Sequence, residues 1–196
     1  MKYGFGGALA VPVFAVALLT AGSGHALAQR FTNPDILAPE FPTPDAVVDQ
    51  MLTMAQVQPG ELVYDLGCGD GRIVIAAAHK FKARAVGIEI RRDIYDVTQA
   101  KVKALGLGDQ VQIVNGNALR YDLSPADVVT LYLLTSSNER LKPVLSKYLK
   151  PSARVVSHDF EIRGWKPASV NRMFVDGRQH TIYLYRMSDT RTGGRN

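Results

Sequence analysis

The sequence predicts an α/β domain whose sheet is mostly parallel and ends in an antiparallel hairpin. Short apolar runs alternate with stretches of helical periodicity between residues 62 and 149, a glycine-rich loop joins the first such pair, and Asp176-Gly177 separates two strand-like runs near the C-terminus. With 196 residues the chain suits one ordinary domain and is short for two. Its 46% hydrophobic and 21% charged residues, with a mean hydropathy of −0.03, exclude a wholly disordered chain and a polytopic membrane protein.

Taken in order, the first element is a leader. No formal charge occurs from Tyr3 to Gln29, Lys2 precedes the run, and Ala8 to Leu19 is rich in Ala, Val, Leu and Phe. The basic start, apolar centre, Gly22-Ser23-Gly24 and final Ala26-Leu27-Ala28 read as an export signal over residues 1–28, cleaved after Ala28 and sending the domain to the periplasm. At about 20 apolar residues the run also suits one membrane span. The alternative is therefore an uncleaved inner-membrane anchor with the domain in the cytosol; this segment is also where membrane contact is expected.

Residues 29–42, with Pro34 and Pro39 and little periodicity, predict an extended arm over the domain. A helix follows, with Thr43 as N-cap, Pro44 at its first position, Asp45 at the positive dipole end and an apolar face of Val47, Val48, Met51, Leu52 and Ala55. Leu62–Leu66 is a buried-type strand, and Ile73, Ala76, Ala77 and Phe81 mark the helix after the glycine loop. Ala85–Ile90, Val111–Val114 and Val128–Leu131 are strands, and Asp93–Leu105 is a helix ending at Gly106. After the fourth strand, Ser136 and Glu139 suggest a capping box for a helix with Leu141, Val144, Leu145, Tyr148 and Leu149 on its buried stripe, kinked or restarted at Pro143. Arg154–Ser157 is the fifth strand, and Met173–Val175 and Thr181–Arg186 form the hairpin. The domain spans residues 43–187, and residues 188–196 read as a disordered tail.

The net charge of +5 is spread among acidic residues and forms no basic cluster, so no nucleic-acid partner is expected. The single cysteine, Cys68, excludes an intrachain disulfide and any cysteine cluster for zinc. No metal is expected.

The chemistry concentrates in Val63-Tyr64-Asp65-Leu66-Gly67-Cys68-Gly69-Asp70-Gly71-Arg72. Glycine at every second position lets the backbone turn tightly and approach a ligand. The G-x-G-x-G spacing differs from the G-x-G-x-x-G of dinucleotide sites, and Asp65 and Asp70 would repel a pyrophosphate. Glu89, at the end of the second strand, is placed to accept hydrogen bonds from two ribose hydroxyls. Together these residues describe a nucleoside with a cationic substituent.

This D-x-G-x-G-x-G motif, with an acid at the end of the next strand, resembles the class I, seven-strand S-adenosyl-L-methionine-dependent methyltransferases. The resemblance implies a Rossmann-like, seven-stranded, mostly parallel sheet of order 3-2-1-4-5-7-6, with S-adenosylmethionine as cofactor. It implies that Asp65, Gly67 and Gly69 lie beside the methionine part, that Glu89 holds the ribose, that Asn117 stands near the adenine amine, and that Cys68, Gly71 and Ala118 also belong to the cofactor site. Asn117 stands where many members carry Asp. Phe41-Pro42-Thr43-Pro44, Leu131-Tyr132-Leu133-Leu134 and Val155-Val156-Ser157-His158-Asp159-Phe160 with Trp165 extend the likeness. They are similar to small bacterial relatives of the mitochondrial lysine methyltransferases that modify the ATP synthase c-subunit and adenine nucleotide translocase. That likeness implies a protein lysine, in a membrane protein, as acceptor. The Asn/Asp-Pro-Pro-Tyr motif after strand four is absent, which disfavours adenine, cytosine and glutamine-amide methylation.

An amine must be neutral when it attacks, and Tyr132, His158 and Asp159 are the candidates to orient or deprotonate it. The plain alternatives are core packing for Tyr132 and a loop-fixing pair for His158 and Asp159. Cys68 reads as a small buried residue, His180 as a strand or surface feature, and Asn138 as facing the cleft or capping its helix. Trp165 lines an acceptor groove or packs over strand five. Three rivals to lysine methylation stand: a small-molecule acceptor, an exported nucleoside-binding domain without turnover, and, more distantly, a dinucleotide reductase.

Overall fold

The computed structural model describes residues 35–190. The leader, residues 29–34 of the arm and residues 191–196 lie outside the described residues. Seven strands, β1 (Leu62–Leu66), β2 (Arg84–Glu89), β3 (Val111–Asn115), β4 (Val128–Leu131), β5 (Arg154–His158), β6 (Ser169–Val175) and β7 (Arg178–Arg186), form one sheet of order β3-β2-β1-β4-β5-β7-β6. β3, β2, β1, β4 and β5 are mutually parallel, and β7 is antiparallel to both β5 and β6. The expected order and hairpin are both present.

Strand order reverses between β1 and β4, so their carboxyl ends diverge into a crevice. Alternation feeds both faces of the sheet. Val63, Ala85, Val128 and Val156 join the core formed with α1 (Asp45–Met54) and α2 (Arg72–Phe81), to which Val102 of α3 (Arg92–Ala104) also belongs. Leu66, Val86, Val129 and Val155 join the opposite core with Leu141 and Leu145 of α4 (Thr135–Tyr148). Met51 and Leu52 of α1 are fully buried, each contributing about 2 kcal/mol by area. Trp165 packs edge-on against Tyr185, ring centroids 5.7 Å apart, and so belongs to this second core.

Several local expectations change. Pro44, not Thr43, is the N-cap of α1, with no side-chain capping bond; the Thr43 hydroxyl is engaged elsewhere. The Ser136–Glu139 box does not form: Leu134 is the N-cap of α4, again without a side-chain cap, and Ser137 Oγ instead donates to the Leu37 carbonyl. That bond ties residues 35–44 onto the domain. α4 runs on through Pro143, which faces solvent, where water can meet the carbonyl that proline leaves without a donor. The second strand ends at Glu89 and not Ile90, and the fifth extends to His158. At the expected tail, Met187–Thr190 forms a short helix, α5, anchored by buried Met187. Asp176 (φ +50°) and Gly177 (φ +79°) supply the two left-handed residues that a tight hairpin turn needs. Among the described residues no helix is long and apolar enough to cross a membrane.

Candidate active site

The glycine loop leaves β1 and is pinned to β2 by its backbone. Gly67 N and Cys68 N both donate to Ile88 O, at 2.9 and 3.1 Å. Glu89 completes the clamp, its Oε2 accepting from Gly69 N (3.0 Å) and its Oε1 from Arg91 N (2.9 Å). Gly71 has φ +76°, and a Cβ there would lie 2.7 Å from Thr98 Cγ2, so glycine is required for close packing. Gly69 (φ +51°) differs. Among the described residues, its own chain neighbours apart, no heavy atom lies within 4 Å of the place its Cβ would take. This open backbone is a cradle that a side chain would fill.

Asp65 is buried at the end of β1, and Thr130 Oγ1 donates to it at 2.8 Å. Burial pushes its carboxyl up to about 7; the Thr130 bond opposes the shift, and Glu89 and Asp70 add to it. Asp70 is also disfavoured by burial, but the hydrogen bonds and charge of Arg72, with Lys101, outweigh this and hold it below the ordinary carboxylate value. Burial, with Asp65 and Glu89 nearby, drives the Cys68 thiol well up, so this cysteine is inert. Asn117 Oδ1 accepts from Leu119 N at 2.9 Å, closing a local turn above buried Ala118. Asn115 Nδ2 donates to Glu89 O at 2.9 Å and joins the ends of β2 and β3. Three carboxylates around an open backbone fit a cationic nucleoside.

Across the switch point the construction relies on side chains. A Cβ on Gly67 would sit 3.2 Å from Leu133 Cδ2, so the strand-four loop borders the glycine loop. Tyr132, one residue earlier, lies against His158 with ring centroids 3.9 Å apart. Fully buried His158 approaches Thr43 Oγ1 through Nδ1 (3.2 Å) and His180 Nδ1 through Nε2 (2.8 Å). Burial holds His158 well below the ordinary imidazole value; Asp159 opposes, while His180 and Arg178 reinforce. Asp159 has φ +59° and turns its carboxylate back onto Thr181 N, at 2.8 Å. Despite partial burial it stays below the usual range, because Thr181 N and Arg178 favour the anion. Arg178 Nη1 donates to Asp159 Oδ2 (2.8 Å) and Nη2 to Tyr132 OH (3.0 Å). Burial raises the Tyr132 phenol, against the pull of Arg178.

The structure thus brings Tyr132, His158 and Asp159 together, and adds Thr43, Arg178 and His180. His180 is 1% exposed, neither surface nor free, and its Nε2 has no hydrogen-bond partner among the described residues. His158 Nε2, His180 Nδ1 and an Asp159 oxygen lie within 4.8 Å of one another, the compass of a metal ligand set, with Arg178 already supplying positive charge at Asp159. Asn138 stands beside this group: its Nδ2 donates to Phe160 O at 3.0 Å, and its buried Oδ1 has no partner among the described residues. A cavity of about 660 Å³ lies far from these loops, along the strand starts of β1 to β3 around Leu62, Arg84 and Val111.

Residues 65–169, from the end of β1 to the start of β6, match the ANTKMT methyltransferase domain. The chain belongs to this family. Over 148 residues it is 49% identical to a protein-lysine N-methyltransferase of Saccharolobus islandicus, covering 75% of this chain and 92% of that one. It is 28% identical over 192 residues to the ATP synthase C-subunit lysine N-methyltransferase of Rattus norvegicus, covering 96% and 85% of the two chains. Among solved structures, a protein described as an RNA methyltransferase from Salinibacter ruber, in complex with S-adenosyl-L-homocysteine, superposes with a TM-score of 0.70 at 44% identity, over 75% of this chain and 94% of that one. As a member of the ANTKMT family the protein is an S-adenosylmethionine-dependent methyltransferase.

Proposed function

We propose that this methyltransferase modifies a lysine of a membrane protein, with the donor over the Gly67–Gly71 loop and the acceptor amine at Tyr132, His158 and Asp159. The carrying observation is the Asp159 carboxylate, held ionised and joined to Tyr132 beside the glycine loop. S-adenosylmethionine, when bound, supplies an electrophilic methyl group on a sulfonium. Asp65, Gly67 and Gly69 hold its methionine part, Glu89 receives the ribose hydroxyls, Asn117 borders the adenine, and Cys68, Gly71 and Ala118 shape the pocket behind them. Uncharged His158 backs the Tyr132 ring without adding positive charge where an ammonium arrives. Asp159 and Tyr132 hold the amine by its N–H groups and are the oxygens nearest to receive its proton. The membrane-protein acceptor is supported by the likeness, nearly end to end, to the enzyme named for the ATP synthase C-subunit. The apolar Tyr3–Gln29 segment supports it too, as an export signal or as an anchor; reporter fusions distinguish the two.

The test incubates the full chain with methyl-labelled S-adenosylmethionine and a membrane extract of the source cell, beside a Gly69→Arg control. Label in methyllysine of a protein band, dependent on the intact loop, supports the reading and identifies the substrate. Label in the RNA fraction or in small molecules, with no labelled protein, overturns it.

A further inference from the structure

We infer that Arg178 is a built-in substitute for the substrate's ammonium group, and that the Asp159 carboxylate and Tyr132 hydroxyl it joins form the subsite for that ammonium. The inference rests on the lysine reading above. One guanidinium bridges the loops after β4 and β5, 2.8 Å from Asp159 Oδ2 and 3.0 Å from Tyr132 OH. The receptor is rigid. Thr181 N fixes the Asp159 carboxylate, whose side chain is 16% exposed, and the Tyr132 ring is backed by His158 and Phe160.

The occupant is not held in the same way. The Arg178 side chain is 51% exposed and stands directly after the hairpin turn, and ion pairs this open to water are weak and exchangeable. A lysine ammonium has three donors and no acceptor, so it can take over both oxygens while Arg178 swings into solvent. Both neighbouring histidines are buried, and burial keeps His158 uncharged, so no fixed imidazolium at His158 opposes the exchange. The acceptor lysine therefore competes with the enzyme's own arginine.

The experiment uses n-butylammonium as probe and titrates it into the full chain saturated with S-adenosylhomocysteine, whose own affinity reports intact folding. Arg178→Met is expected to bind the probe about fivefold more tightly than the natural chain, Arg178→Lys to restore weak binding, and Asp159→Asn to lose it. With the labelled protein substrate, Arg178→Met is expected to lower KM. Equal or weaker probe binding by Arg178→Met overturns the inference, as does a raised KM, which would make the arginine an aid to binding. The probe undergoes no methyl transfer, so the two readings fail separately. Methyllysine formed with no tightening in Arg178→Met leaves the lysine reading and removes the competing arginine; tightening with no labelled protein does the reverse.

Discussion

The two sides of the switch point are built by different means. On the β1–β2 side a contiguous loop and one carboxylate form the site, and most of the contacts come from backbone amides: Gly67 N, Cys68 N and Gly69 N all point into β2 or Glu89. On the β4–β5 side the site is a set of side chains from Thr43, Tyr132, His158, Asp159, Arg178 and His180, gathered from four separate stretches of chain. The electrostatic design is opposed as well. Burial makes Asp65 resist ionisation, whereas at the end of β5 it keeps a histidine neutral beside a carboxylate that remains an anion. On the placement of donor and acceptor proposed above, a donor shared by a whole class of enzymes is held by local backbone geometry, while an acceptor particular to one enzyme meets side chains that can change.

Substitutions on the backbone-built side should have the larger effects. Gly71→Val meets both a left-handed φ and Thr98 Cγ2, and is expected to cost about 3 kcal/mol or more in a denaturant melt. Gly69→Ala should keep most of that stability and instead weaken S-adenosylhomocysteine binding about tenfold or more by calorimetry, because its Cβ enters the open cradle. Equal stability losses in the two would erase the distinction between packing and ligand glycines. Glu89→Gln leaves one of two amide donors without its acceptor, and a loss of about 1–3 kcal/mol in stability is expected together with weaker cofactor binding.

The pH dependence should separate the two sides by sign. The folded-state pKa of Asp65 lies above its unfolded value, so its ionisation destabilises the ligand-free fold progressively as pH rises from about 4 to about 7. The stabilising effect of Asp65→Asn in thermal melts should therefore grow over that window. His158 is depressed, so its contribution is present above about pH 6.5 and is lost as pH falls. His158→Phe should remove that acid sensitivity. Parallel slopes in the two variants would refute the contrast. The smallest effect is expected for His180→Gln, under about 1 kcal/mol, since Asp159 Oδ2 lies 3.3 Å from His158 Nε2 and can replace the lost partner.

The same division explains what the sequence reveals. Asp65, the three loop glycines and Glu89 are legible because a strand, a turn and the next strand end place them whatever the rest of the chain does. The sheet order comes from resemblance, and the hairpin from Asp176-Gly177 between two apolar runs. Thr43 reads wrongly as a cap because its local sequence resembles one, while its real partner, His158, is 115 residues away. Arg178 escapes notice, and His180 reads only as a strand or surface feature, because their roles depend on β7 lying antiparallel beside β5, with His158 opposite Ile182. That register carries the residues before Ile182 past the end of β5; without it, a basic residue after a turn looks like any surface charge. Ser136 with Glu139 matches a capping pattern, but Ser137 meets the 35–44 segment, which a helix-by-helix reading does not foresee.

The hairpin turn at Asp176-Gly177 has an evolutionary corollary. Because it delivers Arg178 and His180 together, and neither touches the glycine loop in the contacts described, β6 and β7 could be exchanged between relatives as a cassette. Such a chimera would inherit its partner preference from one parent and its donor affinity from the other, so that new targets could arise at the sheet's antiparallel end while the ancestral cofactor pocket stayed intact.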